Sequence, residues 1–279
     1  MSAIVRTFTS GTPDAPWFRE ASAQLFIDAA ETQSVALAVH DRLITRAAEM
    51  ALPVLDEPPA AGWYAEDAEI AATAADMRQV VTRPAKVAVL ATFSREALAD
   101  DATGRISAAD VVAAGVASKV DEAFFGDLAA PAPSGLGSLT VNAVDYDPAT
   151  GLDGFYAAAA HAETRGTRVG AFVLSPADWA ALSTLKKATG SAEPLLSSTM
   201  EAPRRTIAGG DVFVSSQVPT GTAWALPRDA ARIVVREDVN VIVDPSRYLE
   251  FDRVAVRVTM RVGFAFVRPS AISLITPAV

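Results

Sequence analysis

The 279-residue sequence predicts an α+β fold in two lobes, one of them inserted into the other. Three observations predict it. In Phe251–Val267 every even position from 254 on is apolar: Val254, Val256, Val258, Met260, Val262, Phe264 and Phe266. Strict period two marks a strand with one buried face. At about 3.3 Å per residue it would run roughly 55 Å, several times the common strand of about 5–6 residues. In Ser107–Phe125, Ala108, Val112, Val116, Val120 and Phe124 form an i,i+4 stripe, which predicts a helix of about 28 Å. Between them, from about 141 to 235, the chain turns to short alternating elements, a mixed α/β lobe. The helix precedes this insert and the long strand follows it, so the first lobe is discontinuous.

Taken in order, residues 1 to about 18 contain Gly11, Pro13 and Pro16 without periodicity and read as an extended arm that Trp17 and Phe18 could anchor. A short helix is expected over Phe18–Ala30, and Ser34–Met50 fits neither period. From Leu52 through Gly62-Trp63-Tyr64-Ala65-Glu66-Asp67 and back to Leu90 the chain reads as a hairpin or loop of about 35 residues, with Val87 and Val89 on the return. So long an excursion is uncommon inside one compact domain, and a lone hairpin is marginal, so it is expected to lie on another chain. Trp63 is its expected anchor, either at an interface or in local hairpin packing. Phe93–Asp101 reads as a short helical turn closed by Gly104. Ser107-Ala-Ala-Asp110 resembles a capping box, and Gly126 sits where a helix C-terminal glycine belongs.

In the second lobe a helix is expected over Leu152–Glu163 and a buried strand over Val169–Leu174. Ser175 is an N-cap with Pro176 at the first helical position, and Trp179, Leu182 and Leu185 lead that helix to Lys186, Lys187 and Gly190. Short strands are expected at Ile207–Ser215, Ala223–Leu226 and Arg232–Val235. Returning to the long strand, Arg253, Arg257 and Arg261 share its second face about 13 Å apart, either solvated or meeting neighbouring chains.

Composition excludes several chemistries. There is no cysteine, hence no disulfide frame, thiolate metal site or thiol nucleophile, and two histidines leave no multi-histidine site. The formal charge of -9 argues against a protein that grips DNA phosphates through a basic surface. No stretch of 18 uncharged apolar residues is present, and Met1–Arg6 lacks a signal-peptide pattern, so a soluble cytoplasmic chain is the expectation. Gly135-Leu-Gly137 lacks the third glycine of a dinucleotide loop, and Gly209-Gly210 reads as a turn. His161 near Glu163, His40-Asp41 and Asp100-Asp101 read as surface groups rather than a general base or a metal pair. No catalytic, cofactor or metal residue is assigned.

Together these residues resemble the tailed-phage major capsid proteins of the Hong Kong 97 fold. The resemblance rests on Leu52-Pro-Val-Leu with Gly62-Trp63-Tyr64-Ala-Glu66. It continues with Phe93-Ser-Arg-Glu-Ala-Leu-Ala-Asp100 before the helix bearing Asp121 and Gly126, and with Val173-Leu-Ser-Pro176, Trp179, Leu182 and Leu185 through Gly190. It ends with Arg261–Phe266 running into Arg268-Pro-Ser-Ala-Ile272. It implies an N-terminal arm (1–50), an extended loop (51–91) lying across a neighbouring subunit, and a peripheral domain (92–138 and 236–279) with a spine helix at 107–125. The remainder, 139–235, would be an axial domain. In that reading Trp17, Trp63, Tyr64, Glu66, Arg253, Arg257 and Arg261 are interface residues. Val112, Val116, Val120, Phe124, Val256, Val258 and Met260 are core, the helix packing on the strand.

The resemblance implies a homo-oligomeric icosahedral shell of pentamers and hexamers that encloses double-stranded DNA without sequence-specific contacts. Its copies would assemble in a host cytoplasm and end in a virion, with scaffold, portal and decoration proteins as possible partners and no membrane. Some family members carry a long N-terminal scaffolding segment; this chain leaves no room for one, so a separate scaffold protein or none is expected. Others link subunits through a loop lysine and a strand asparagine; 56–82 has no lysine and the asparagines are Asn142 and Asn240, so no such bond is expected. An acidic inner wall would also avoid holding DNA by counterion release. An encapsulin-type nanocompartment shell is the alternative, and a soluble α/β enzyme the remote one.

Overall fold

The computed structural model describes residues 33–55, 61–67, 69–70, 77–94, 102–145, 151–186 and 205–276, without the side chains of 102–110, 237–239, 243 and 245. Trp17, the expected helix Phe18–Ala30 and Asp100-Asp101 lie outside these residues.

Two sheets carry the fold. The first has four strands in the order β1 (Arg42–Thr45), β10 (Ala231–Tyr248), β11 (Arg253–Phe266), β4 (Ala85–Ser94). β1 pairs parallel with β10, and the other pairs are antiparallel. Period two in β11 sorts its residues by face: Val254, Val258, Met260, Val262 and Phe264 are buried, whereas Arg253 and Arg257 are exposed. The strand begins at Arg253 rather than Phe251, because Leu249–Phe251 form a 3-10 turn and Asp252 takes a left-handed conformation (φ 47) to reverse the chain. Arg232–Val235 is not a separate short strand. It opens the 18-residue β10, whose alternation is interrupted by register shifts at Arg236/Asn240 and Asp244/Tyr248.

Val87 and Val89 likewise do not return along a hairpin. They lie on β4, opposite Met260 and Val258 of β11. The hairpin itself is β2 (Met50–Leu55) with β3 (Met77–Thr82), paired from Met50↔Thr82 to Leu55↔Met77, and Pro84 stands between β3 and β4. Phe93 and Ser94 close β4 rather than open a helical turn; the rest of that expected turn lies outside the described residues.

The long helix runs Ala102–Phe125, through Gly104 and past the expected Ser107 cap. A helical glycine costs only about 1 kcal/mol relative to alanine, so it does not by itself end a helix that can continue its hydrogen-bond ladder. Val112, Val116, Val120 and Phe124 are each no more than 3% exposed, and they share one core with Val258, Met260, Val262 and Phe264 of the long strand. Val256 is half-buried against the same core. Phe124 stands edge-on to Phe264, with ring centroids 5.0 Å apart. Ser34–Met50, undecided in the sequence, holds the short helix Val35–Val39 followed by β1.

The second sheet has the order β5 (Asn142–Asp145), β12 (Ser273–Thr276), β9 (Ala223–Pro227), β6 (Val169–Leu174), β8 (Gly210–Val214), β7 (Thr206–Ile207). The chain therefore enters this sheet twice, the second time with its last strand. β6 is apolar at nearly every position because both of its faces are covered. Ala171 and Val173 face the core of the long helix, while Phe172 and Leu174 join Phe155, Ala158 and Leu182 from helices Asp153–Thr164 and Pro176–Thr184. Ser175 caps the latter helix, accepting the Asp178 N–H at 3.1 Å, and Gly221 N–H donates to the Asp178 carboxylate at 2.9 Å. That helix ends at Thr184 with Leu185 as its C-cap, short of the expected Lys187.

Candidate functional site

Among the described residues no acid–base constellation emerges from the geometry. Among the described residues no group of three or more His, Asp or Glu could hold a metal ion, and no helix is long and apolar enough to cross a membrane. An open depression of about 490 Å³ at the tip of the β10–β11 ribbon is lined by Thr92, Tyr248, Phe251 and Arg253, which offer no nucleophile–base pair. His161 is fixed on its helix, with Nε2 3.0 Å from the Ser270 carbonyl oxygen. His40 is buried against the Phe124 ring, its Nδ1 3.5 Å from the Arg228 carbonyl oxygen and its Nε2 without a partner. Burial lowers its pKa to about 4, so the ring is neutral near pH 7.

What the geometry does organise is surface. The β2–β3 hairpin is tied to the body along β3: at its base Thr82 Oγ1 donates to the Phe264 carbonyl oxygen at 3.1 Å, and nearer its outer end the Arg78 guanidinium donates to the Val267 carbonyl oxygen at 2.8 Å. Gly263 makes this crossing possible, because a Cβ there would lie 2.6 Å from the Thr82 methyl. Beyond that base the segment carries Trp63 at 105% relative exposure, with Tyr64, Glu66 and Ile70 also exposed. Trp63, Tyr64 and Glu66, neighbours in the sequence, are all exposed. Arg253 and Arg257 are exposed on β11 and Arg261 is half-buried; their cross-strand neighbours on β4 are Ser94, Leu90 and Lys86. The hairpin base covers the far end of this same face, with Thr82 and Pro84 over Gly263.

Three residues depart from the sequence reading: His40, read as a surface group, is buried, and Asp121 and Gly135 make contacts it did not announce. Asp121, named in the sequence only among the residues of the family resemblance, is 4% exposed and accepts three hydrogen bonds: from Ser34 Oγ at 2.6 Å and from the Val35 and Ala36 N–H groups at 3.0 Å each. It thus ties the short helix Val35–Val39 to the long one. Desolvation pushes its carboxyl above the usual range, although the three donors pull it back. Gly135, dismissed as part of a weak nucleotide loop, packs on the end of the long helix. A Cβ there would lie 2.0 Å from the Ala123 carbonyl oxygen, and Gly137 N–H donates to the Gly126 carbonyl oxygen at 3.1 Å. No local pattern signals either contact, since the Asp121 partner Ser34 is 87 residues away.

Against this geometry, residues 19–276 match the model of the phage capsid family. The chain belongs to the phage capsid family. It is a structural capsid protein and not an enzyme. Its fold is that of Hong Kong 97-type capsid subunits. It matches a solved chain from Mycobacterium phage Adephagia with a TM-score of 0.67 and 16% identity over 88% of this chain and 90% of that one. It matches the capsid of an empty GTA particle with a TM-score of 0.65 and 19% identity over 100% and 94%. A virus-like particle from Pyrococcus furiosus follows with a TM-score of 0.60 and 14% identity over 92% and 99%. No curated protein matches by sequence. Family membership places the protein in a homo-oligomeric capsid, and so in the virion. A phage capsid is favoured over a nanocompartment shell.

Proposed function

We propose that the chain is the repeating tile of an icosahedral phage head, arranged in pentamers and hexamers and enclosing double-stranded DNA without sequence-specific contacts. Residues 1–50 act as the N-terminal arm and 51–91 as the extended loop that reaches over a neighbouring copy. Residues 92–138 with 236–279 form the peripheral part, and 139–235 the axial part around the five-fold and six-fold positions. Assembly takes place in the host cytoplasm, with a portal protein, a decoration protein and a separate scaffold protein or none as the candidate partners. Trp17, Trp63, Tyr64, Glu66, Arg253, Arg257 and Arg261 meet other copies.

One observation carries this reading: Trp63 stands at 105% relative exposure beyond the β2–β3 hairpin. Leaving so large an apolar side chain in water forgoes about 2–3 kcal/mol of burial, which a neighbouring copy would recover. A shell sums many such contacts over interfaces of order 1,000–2,000 Å² each. The test is Trp63→Asp. Because nothing in the subunit packs on this side chain, thermal unfolding of the isolated subunit should not change, while sedimentation should show the particle peak lost. Particles formed at the wild-type yield would remove Trp63 from the interface.

A further inference from the structure

His40 is a titratable side chain sealed into the core at a junction between elements. Its ring tilts against Phe124 of the long helix, with centroids 5.4 Å apart. Nδ1 lies 3.5 Å from the Arg228 carbonyl oxygen, and Nε2 is buried without a partner. The charged groups that face the ring come from several elements. Arg228 stands on the turn after β9 and Arg232 on β10. Asp41, the next residue, is the carboxylate beside the ring, and both arginines bind it, at 3.2 and 3.6 Å. On the long helix Asp121 lies one turn before Phe124 and is engaged by Ser34, Val35 and Ala36.

The junction fastens one segment, Ser34–Thr45, to the body. At its start the Asp121 carboxylate holds Ser34, Val35 and Ala36, and Ala36 and Val39 are buried in the core of the long helix. At its end β1 is a four-residue edge strand paired only with β10, and the Asp41 carbonyl oxygen accepts the Ile233 N–H at 3.1 Å. His40 stands between these two anchors as the C-cap of the short helix. Residues 46–49 that follow are exposed, and the Met50↔Thr82 pair fixes the chain again. Without Ser34–Thr45, β10, β11 and β4 remain paired and Phe124 remains against Phe264. A short segment at a sheet edge, with few ladder bonds, opens at lower cost than the whole fold.

We propose that Ser34–Thr45 is an acid-released strap: a proton taken up by His40 drives its ring out of the core and detaches the segment from the long helix and β10, while both sheets persist. The reason lies in the donors of the ring. Neutral imidazole has one N–H donor, and imidazolium has two. With Nδ1–H directed at the Arg228 carbonyl oxygen, the added proton goes to Nε2, where no acceptor stands. Burial withholds water from the new charge, and two guanidinium groups oppose it. The ring regains water only by leaving, and the backbone on both sides leaves with it. Asp121 acts in the other direction: its carboxyl is raised in the fold, so acid favours that anchor. For His40 the folded value of about 4 lies below the ordinary 6.5, so closure is full above about pH 6.5 and is lost as pH falls toward about 4. The ratio of open to closed strap then rises by at most tenfold per pH unit, about 300-fold over the window. Residues 1–32 join the body through this strap, so pH sets whether the start of the chain is held at Ser34.

The experiment is amide hydrogen exchange, read by mass spectrometry on the full-length chain between about pH 7 and pH 4.5 and corrected for the intrinsic pH dependence of exchange. Protection of residues 36–45 should fall about tenfold per pH unit below about pH 6, while residues 254–265 of β11 keep theirs. His40→Phe places a ring that takes no proton in the same pocket, and His40→Gln a polar side chain that takes none. In both, the loss of protection on acidification should disappear, whatever their protection at pH 7. Where one variant fails to fold, the other serves, and the wild-type profile decides the first two of the following outcomes by itself. Protection of 36–45 that does not change with pH overturns the proposal. So does a loss shared with β11 at the same pH, which is unfolding of the whole subunit. An undiminished loss in the variants overturns it as well and assigns the response to Asp41.

Discussion

Asp121 on the long helix accepts the Ser34 hydroxyl at 2.6 Å in a buried setting, across 87 positions of sequence. With the Val35 and Ala36 N–H groups on the same carboxylate, it gives the five-residue helix Val35–Val39 an N-terminal cap supplied by another element. Asp121→Ala leaves two buried donors and one half-buried donor without that acceptor. It should lower subunit stability by about 2–4 kcal/mol, seen as a lower urea midpoint at constant m-value. Asp121→Asn keeps one carbonyl acceptor and should cost less.

The same carboxyl sets a pH signature. Its folded-state pKa is raised above 3.8, so the folded subunit holds this proton more tightly than the unfolded chain does. The resulting stability is fully present below about pH 3.8 and is lost as pH rises through the folded value. Wild-type stability should therefore fall with rising pH relative to Asp121→Asn, beginning just above that point. Urea midpoints for both proteins across pH 3.5–6.5 measure the difference; parallel profiles would contradict the burial of this group.

His40 acts in the opposite sense. Its folded pKa of about 4 lies below the ordinary 6.5, so the unfolded chain takes up the proton first. The stability it contributes is full above about pH 6.5 and is lost as pH falls toward about 4, by roughly 3 kcal/mol over the window. The groups around it are Arg228, Arg232 and Asp41, with Asp41 itself in ion pairs to both arginines at 3.2 and 3.6 Å. His40→Gln should flatten the profile between pH 6.5 and 4.5 and cost some packing against Phe124 at pH 7. An unchanged slope would show that another group dominates.

Glycines on and beside the long helix should respond with opposite signs. Gly115 has open space around it, so Gly115→Ala should stabilise the isolated subunit by about 0.5–1 kcal/mol. Gly135→Ala would drive a Cβ to within 2.0 Å of the Ala123 carbonyl oxygen and 2.3 Å of that of Gly126, both backbone atoms. It should cost about 3 kcal/mol or more or abolish folding, and thermal melts of the two variants side by side check this.

Legibility in the sequence followed the range of the interactions involved. The period-two run of β11 and the i,i+4 stripe Val112–Phe124 could be read directly, because one side of each element is buried and each pattern repeats within a few residues. Ser175 and Pro176 announced their helix for the same reason. β10 was read as a short strand because two register shifts break its alternation, and a slip of one residue exchanges inside for outside. Val87 and Val89 were placed on the hairpin because alternation shows that a strand exists and not which strand it pairs with. The buried role of Asp121 could not be read because a carboxylate among polar neighbours carries no mark of a partner so distant in sequence. At the surface, Trp63 and the arginines of β11 stood out by composition. That the hairpin and the arginines lie on one side of the sheet required the Thr82–Gly263 crossing.

The claim on which the rest depends is that this chain closes into shells with itself. Negative-stain electron microscopy of the expressed protein, alone and with its phage partner proteins, tests it most directly. The account predicts uniform closed icosahedral particles that disappear with Trp63→Asp. Dispersed 29.1 kDa subunits under every condition, with no large particle, would contradict it.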